Sequence, residues 1–223
     1  MEMGYGEYYC INLCAAYPMD CNKISSLIIG LLDRATGYEA SFLCIDTNHF
    51  EYEKAIDDEY GRISITKDIE HYFDLYTLAE VYIQLQNGLI IRVLHDYLDG
   101  QYYQLSFLVS MNDIEERFSE EDGKKLIRLM EKKCIQLFDP IYAAIGVESD
   151  AASLADIFPS PIYEKIYIGK DRFQRIREQI PYSVNDVITI TEFQEGCMVE
   201  ISDTVSVEVR EQAKEEIWRL MRG

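Results

Sequence analysis

The sequence predicts an α+β fold in which antiparallel sheets, a three-stranded meander and a carboxyl-terminal hairpin, pack with helices. Three observations carry this expectation. Between Leu78 and Ser110, Ala79, Val81, Ile83 and Leu85 alternate with Glu80, Tyr82, Gln84 and Gln86 before Asn87–Gly88, and the runs Leu89 to Tyr97 and Tyr102 to Ser110 follow around Leu98–Asp99–Gly100. Period-two alternation is that of a half-buried strand, and Asn-Gly accommodates the positive φ angles of a type I′ hairpin turn. Near the carboxyl end, Val184 to Phe193 and Cys197 to Ser202 flank Gln194–Glu195–Gly196 as a second hairpin. Between and after these runs, apolar residues recur at helical spacing.

In chain order, a first strand from about Glu7 to Ala16 is closed by Tyr17–Pro18–Met19–Asp20. A helix from about Asn22 to Ala35 follows, with Ile24, Leu27, Ile28, Leu31 and Leu32 on one face and Thr36–Gly37 as its stop. Glu39 to Asp46 reads as a strand, Glu51 to Arg62 as an acidic loop, and Lys67 to Asp74 as a short helix. After the meander, Asp113 to Phe138 reads as mainly helical, with a stripe of Leu126, Ile127, Met130, Cys134 and Leu137. Its acids come early and Lys132–Lys133 late, as the helix dipole favours. Strands at Ile141 to Val147 and Ile162 to Ile168, and a short helix from Asp171 to Ile180 stopped by Pro181, lead to the hairpin. The chain closes with a helix from about Val205 to Met221, whose Val209, Ala213, Ile217 and Leu220 are expected to face the core. No Pro/Gly/Ser-rich linker divides the chain, so the expectation is one domain over 1–223, with two intimate halves, 1–112 and 113–223, as the alternative.

Composition narrows the partner class more than the chemistry. The 223 residues carry 40 Asp plus Glu against 21 Lys plus Arg, a net charge of −19, while 48% of them are hydrophobic. That hydrophobic share supports a packed core, so the acidity is not a mark of disorder. A field of this sign repels phosphate backbones and anionic lipid and attracts cations, so neither nucleic acid nor membrane is expected as a partner. No apolar run approaches the roughly 20 residues of a membrane span. Met1–Glu2–Met3–Gly4 lacks the basic start of a secretory signal, and the expected location is cytoplasmic. Cys10 and Cys14 share the first strand, where four residues at about 3.3 Å each hold them too far apart for a disulfide. Cys21, Cys44, Cys134 and Cys197 lack CxxC spacing, and small-apolar core roles in a reducing compartment are expected for these thiols.

The residues offer little catalytic chemistry. His49, His71 and His95 have no i, i+4 pairing for a metal, and His95–Asp96 on a strand points its two side chains to opposite faces. GxSxG, GxxxxGK and HExxH patterns are absent. Gly4–Tyr5–Gly6 falls short of a dinucleotide loop, and Glu148 with Asp150 is unremarkable in so acidic a chain. No catalytic residue, metal or cofactor is expected. Lys165, Lys170, Arg172, Arg175 and Arg177 run against the overall charge; a solvated face is expected of them ahead of an anion site at Lys170. The candidate contacts for a basic protein are the acidic loop with its interleaved aromatics, Glu51, Tyr52, Glu53, Asp57, Asp58, Glu59 and Tyr60, and second the acidic run that starts at Glu115 and Glu116. Tyrosine supports such a contact by presenting a rigid apolar ring with a polar tip.

From Leu126 onward the element order is that of a helix ending in Leu137–Phe138–Asp139–Pro140–Ile141–Tyr142–Ala143–Ala144, a loop, the strand from Tyr163 to Ile168, the hairpin around Gly196 and a closing helix. This carboxyl-terminal half resembles immunity proteins of bacterial polymorphic toxin systems, the fifty-second class; Tyr5 to Asp20 departs from that pattern. The resemblance implies a protein without catalysis of its own that binds a cognate toxin and blocks its active site. Residue reading and resemblance together lead to the expectation of a non-catalytic acidic protein that binds and neutralises or regulates a basic protein partner. The alternative is an enzyme or small-ligand sensor whose site is assembled from residues distant in sequence.

Overall fold

The computed structural model describes residues 7–15, 40–46, 79–85, 89–98, 102–147, 165–193 and 196–222. Over these residues the chain forms β1 (Tyr8–Ala15), β2 (Ala40–Asp46), β3 (Ala79–Leu85), β4 (Ile90–Leu98), β5 (Tyr102–Ser110), α1 (Met111–Arg117), α2 (Glu120–Phe138), β6 (Tyr142–Val147), β7 (Lys165–Gly169), α3 (Lys170–Arg177), α4 (Tyr182–Asn185), β8 (Ile188–Phe193), β9 (Gly196–Ile201) and α5 (Val207–Arg222). The α+β class and the meander are as expected. The expected helices at Asn22 to Ala35 and Lys67 to Asp74, the Asn87–Gly88 and Leu98–Asp99–Gly100 turns, and His49, His71, Glu148 and Asp150 lie outside, or partly outside, the described residues.

The meander and the hairpin belong to one sheet rather than two. Its nine strands run in the order β2-β3-β4-β5-β1-β6-β7-β9-β8, every neighbouring pair antiparallel. The amino-terminal strand β1 joins the two parts: Ile11 stands between Phe107 on β5 and Ile145 on β6, and Leu13 between Leu105 and Ala143. Both ends of β1 are tied as well, Glu7 O accepting from Met111 N (2.9 Å) and Cys14 O from Ile141 N (2.8 Å).

Alternation along the strands sends successive side chains to two cores. On one face, Ile11, Leu13, Ile91, Val93, Leu105, Phe107, Val109, Ala143, Ile145, Tyr167 and Met198 pack beneath α1 and α2, which contribute Ile114, Leu126, Met130, Cys134, Ile135 and Phe138. The Phe107 and Phe138 rings meet with centroids 6.3 Å apart. On the other face, Tyr142, Ala144, Ile166, Ile168, Cys197, Val199 and Ile201 pack against Phe173 and Ile176 of α3, Val184 of α4, and Ala213 and Ile217 of α5. Each fully buried aliphatic or aromatic side chain of this kind stabilises the fold by about 1.5–3 kcal/mol. The thiols Cys10, Cys14, Cys134 and Cys197 are buried and form no disulfide, as their core roles require, and burial pushes that of Cys14 up to about 12.

Four local expectations are corrected. The helix expected from Asp113 to Phe138 is two helices, because Phe118 leaves helical geometry and Ser119 caps a new start. Lys132 and Lys133 fall short of the last turn of α2, which carries no basic residue. The strand expected from Val184 starts only at Ile188, since Pro181, with its fixed φ, opens a helical turn in which Val184 N and Asn185 N donate to Pro181 O. Val209 does not face the core: the first turn of α5 stands away from the sheet, leaving Val207 58% and Val209 39% exposed, while Ala213 and Ile217 are buried as expected.

Gly196 is where backbone and core meet most closely. A Cβ there would lie 2.4 Å from both Ile168 O and Tyr167 Oη. Tyr167, wholly buried and diagonal to Gly196 across the β7–β9 pair, fills the space a side chain would take. Gly196→Ala is expected to cost about 1–3 kcal/mol of stability, the range for overpacking a filled core. A urea midpoint equal to that of the parent would show that Tyr167 has room to yield.

Candidate functional site

The acidic run near Glu115 becomes an elbow between two capped helices. Ser110 Oγ accepts from Asp113 N and Ser119 Oγ from Asp122 N, each at 3.2 Å, so α1 and α2 begin at serines that satisfy otherwise unbonded amides. Close approach of the two helices depends on Gly123, whose added Cβ would lie 2.7 Å from Ile114 Cγ2. With Ile114 anchored in the core, Glu115 and Glu116 project into solvent on the outer side of α1.

The elbow's carboxylates differ in what holds them. Glu120 pairs with Lys124, Glu121 with Lys125 at 2.9 Å, Asp122 with Lys125 at 3.4 Å and Asp113 with Arg117 at 3.8 Å. The hydrogen bond and charge of Lys124 hold the Glu120 carboxyl below its ordinary range, and the Ser119 hydroxyl followed by Lys125 does the same for Asp122. Glu115 and Glu116 form no ion pair among the described residues. Residues 111–125 carry three bases and six acids, 3 − 6 = −3, so the elbow is a net anionic surface with two carboxylates open to an incoming cation. The other candidate contacts, Glu51, Tyr52, Glu53, Asp57, Asp58, Glu59 and Tyr60, lie outside the described residues.

A second constellation was not legible as a site in the sequence. Glu131 sits on the sheet-facing side of α2 with its side chain only 7% exposed. Tyr9 Oη of β1 donates to Glu131 Oε1 at 2.5 Å, and Lys165 Nζ of β7 donates to Oε2 at 2.7 Å. Lys165 also reaches Glu200 of β9 at 2.8 Å, directly opposite it in the ladder. Burial alone would lower the Lys165 ammonium, yet Glu131 and Glu200 outweigh it and hold the group above the ordinary lysine value. Burial, followed by the charge and hydrogen bond of Glu131, raises the Tyr9 phenol, which stays neutral as a donor. Both oxygens of Glu131 are thus occupied, and the cluster ties α2 to three strands.

The basic stretch is divided between the two faces of the sheet, Lys165 on one and the bases of α3 on the other. Lys165 points to the α2 face, whereas α3 lies on the opposite face with Phe173 and Ile176 buried beneath it. On α3, Arg175 Nε donates to Asp171 O at 3.2 Å, and Arg177 stands 5.9 Å over the Phe173 ring and 3.9 Å from Glu192. Among the described residues no group of three or more His, Cys, Asp or Glu side chains is placed to hold a metal ion. No protein-family model matches the chain, and no curated protein matches it.

The buried cluster makes two stability predictions. Lys165→Met leaves the Glu131 carboxylate without its cation and is expected to cost about 2–4 kcal/mol, with Glu131→Leu added to Lys165→Met restoring most of that. Urea unfolding of the single and double variants measures both; equal losses would deny the coupling. Tyr9 and Lys165 both have values raised on folding. Their contribution is therefore complete below about pH 10, where the unfolded groups begin to lose protons, and declines as pH rises beyond it. Unfolding midpoints are expected to fall as pH rises past about 10, and less steeply in Tyr9→Phe.

Proposed function

We propose that this is a non-catalytic acidic protein that binds and neutralises or regulates a basic protein partner, in the form its sequence resemblance implies: an immunity protein that covers the active site of a cognate toxin. The observation that carries the reading is the exposure of Glu115 and Glu116, without an ion pair among the described residues, on an elbow between two capped helices, in a chain of net charge −19. A carboxylate already engaged to a lysine must exchange one cation for another on binding, with little net gain. An unengaged one on an ordered helix contributes its attraction without breaking an existing pair and without ordering a loop. The long-range field adds rate, because opposite charge steers encounter before contact.

No helix among the described residues is long and apolar enough to cross a membrane, and the net negative field disfavours nucleic-acid phosphates as the alternative target. The segment bearing Glu51, Tyr52, Glu53, Asp57, Asp58, Glu59 and Tyr60 is proposed to act with the elbow, its tyrosines supplying contact area and its acids charge.

The test uses a basic partner captured from the native host or encoded beside this chain. Its association rate constant is expected to fall about tenfold or more between low and physiological salt, as steered encounters do. Glu115→Gln with Glu116→Gln, and Asp57→Asn with Asp58→Asn and Glu59→Gln, are each expected to lower that rate and flatten its salt dependence. An affinity that ignores salt, or both charge-neutral variants binding at the parental rate, would refute the reading.

A further inference from the structure

Charge along α2 changes sign partway. Its first turn holds Glu120, Glu121 and Asp122, whereas residues 123–138 carry five bases and one acid, 5 − 1 = +4, in a chain of net charge −19. The one acid is Glu131, buried against the sheet with both oxygens taken by Tyr9 and Lys165. Lys124 and Lys125 are held by the acids of the first turn. Arg128, Lys132 and Lys133 form no ion pair among the described residues, Arg128 and Lys132 standing exposed and Lys133 half-buried.

Neither local pairing nor the helix dipole accounts for these three cations. Side chains on a helix meet those three and four residues away. At that spacing Arg128 has Glu131 as its single acidic neighbour, already engaged in the core, and Lys132 and Lys133 have none. Lys124, Arg128 and Lys132 instead form a row of like charges four residues apart, an arrangement that opposes helix formation. The dipole favours cations only in the last turn, and the last turn of α2 carries no base. Arg117, Lys214 and Arg219 each have an acid one turn away, so the chain supplies that compensation on other helices and omits it here.

We infer that the outer row of α2 is a second interaction surface, opposite in sign to the elbow, which docks an acidic segment of a partner protein on Arg128, Lys132 and Lys133. Charge complementarity selects the sign of the occupant, and reach selects its size. From Lys124 to Lys133 the row spans about 14 Å at 1.5 Å per residue, and at physiological salt exposed charges act over about 8 Å. A short segment with carboxylates about one helical turn apart matches the row without meeting the acids beyond it. A nucleic-acid duplex, with a charge every ~1.7 Å, extends along α2 over Glu120, Glu121 and Asp122, and an anionic membrane meets still more of the acidic exterior. The inference goes beyond the basic-partner reading and does not rest on it, since it uses other residues and the opposite charge.

The probe is a Glu/Ala peptide with glutamates four residues apart, added to the full chain and followed residue by residue by NMR. Amide shifts are expected to concentrate on residues 128–133, to saturate, and to require more peptide as salt rises. Arg128→Gln with Lys132→Gln and Lys133→Gln is expected to weaken the peptide about tenfold, as the loss of three exposed pairs implies. The urea midpoint of that variant is expected to stay at or above the parental one, because like-charge repulsion is relieved. A Lys/Ala peptide is expected to leave residues 128–133 unmoved, and Glu115→Gln with Glu116→Gln to bind the Glu/Ala peptide at least as tightly as the parent. No saturable shift on α2, or parental affinity in the triple variant, overturns the inference. Equal shifts from a DNA duplex or from phosphatidylserine vesicles overturn the protein occupant, and shifts that grow with protein concentration alone assign the row to a second copy and overturn it too. A Glu/Ala peptide that leaves α2 untouched while a basic partner still requires Glu115 and Glu116 overturns this inference and leaves the acidic-surface reading standing.

Discussion

The placement of β1 between β5 and β6 is the constraint on which the rest of this structure depends. Its two hydrogen-bonded ladders turn a meander and a distant hairpin assembly into one sheet, and its alternating side chains set the division between the two cores. Ile11 and Leu13 define the face that α2 covers, while Cys14 belongs to the face that α3 and α5 cover. The same strand gives Tyr9 to the Glu131 cluster, so the one buried ion cluster among the described residues is anchored where the two parts of the sheet meet. A carboxylate at that depth is tolerated because a hydroxyl and an ammonium complete its shell; without them its desolvation would oppose the packing of α2.

Charge is distributed on a different logic from packing. In the interior Glu131 is matched by Lys165, with a second carboxylate, Glu200, sharing the cation at the rim. Outside, many acids are held by a lysine or arginine one helical turn away, and such pairs contribute little to stability. Their effect is to reduce the local field unevenly, leaving Glu115 and Glu116 as an uncompensated pair on α1. The acidic elbow is therefore a place where compensation is incomplete: four of its six carboxylates are paired, and Glu115 and Glu116 form no ion pair among the described residues.

Much of the fold was legible locally, and little of its assembly was. Alternation from Ala79 to Leu85 and from Tyr102 to Ser110 specifies strands whatever lies beside them, and Ala213 with Ile217 specifies a buried helix face. The same alternation cannot say that β1 sits between β5 and β6, because a strand's pattern is the same for any neighbour. Ser119–Glu120–Glu121–Asp122 was a capping signal within the acidic run, hidden because acids early in a helix also suit a single longer one. Beside Lys132–Lys133, Glu131 reads as one more charge of a solvated helix face, although its fourfold spacing from Ile127 and Ile135 places it on the edge of the apolar stripe. Of the candidate contacts, Glu115 and Glu116 were legible as exposed because no apolar residue accompanies them on their side of α1.

The central position of β1 also orders events during synthesis. Tyr8 to Ala15 leave the ribosome before either neighbour, and neither flanking strand exists until Tyr102–Ser110 and Tyr142–Val147 have been made. Contacts this far apart along the chain are slow to form, since a long loop must close before any of them is rewarded. Ile11, Leu13 and two thiols must therefore wait until both strands have been made before all their native neighbours are present. β1 is made before both strands that flank it, and a nascent chain halted before β6 holds only one of the two ladders that make β1 an interior strand.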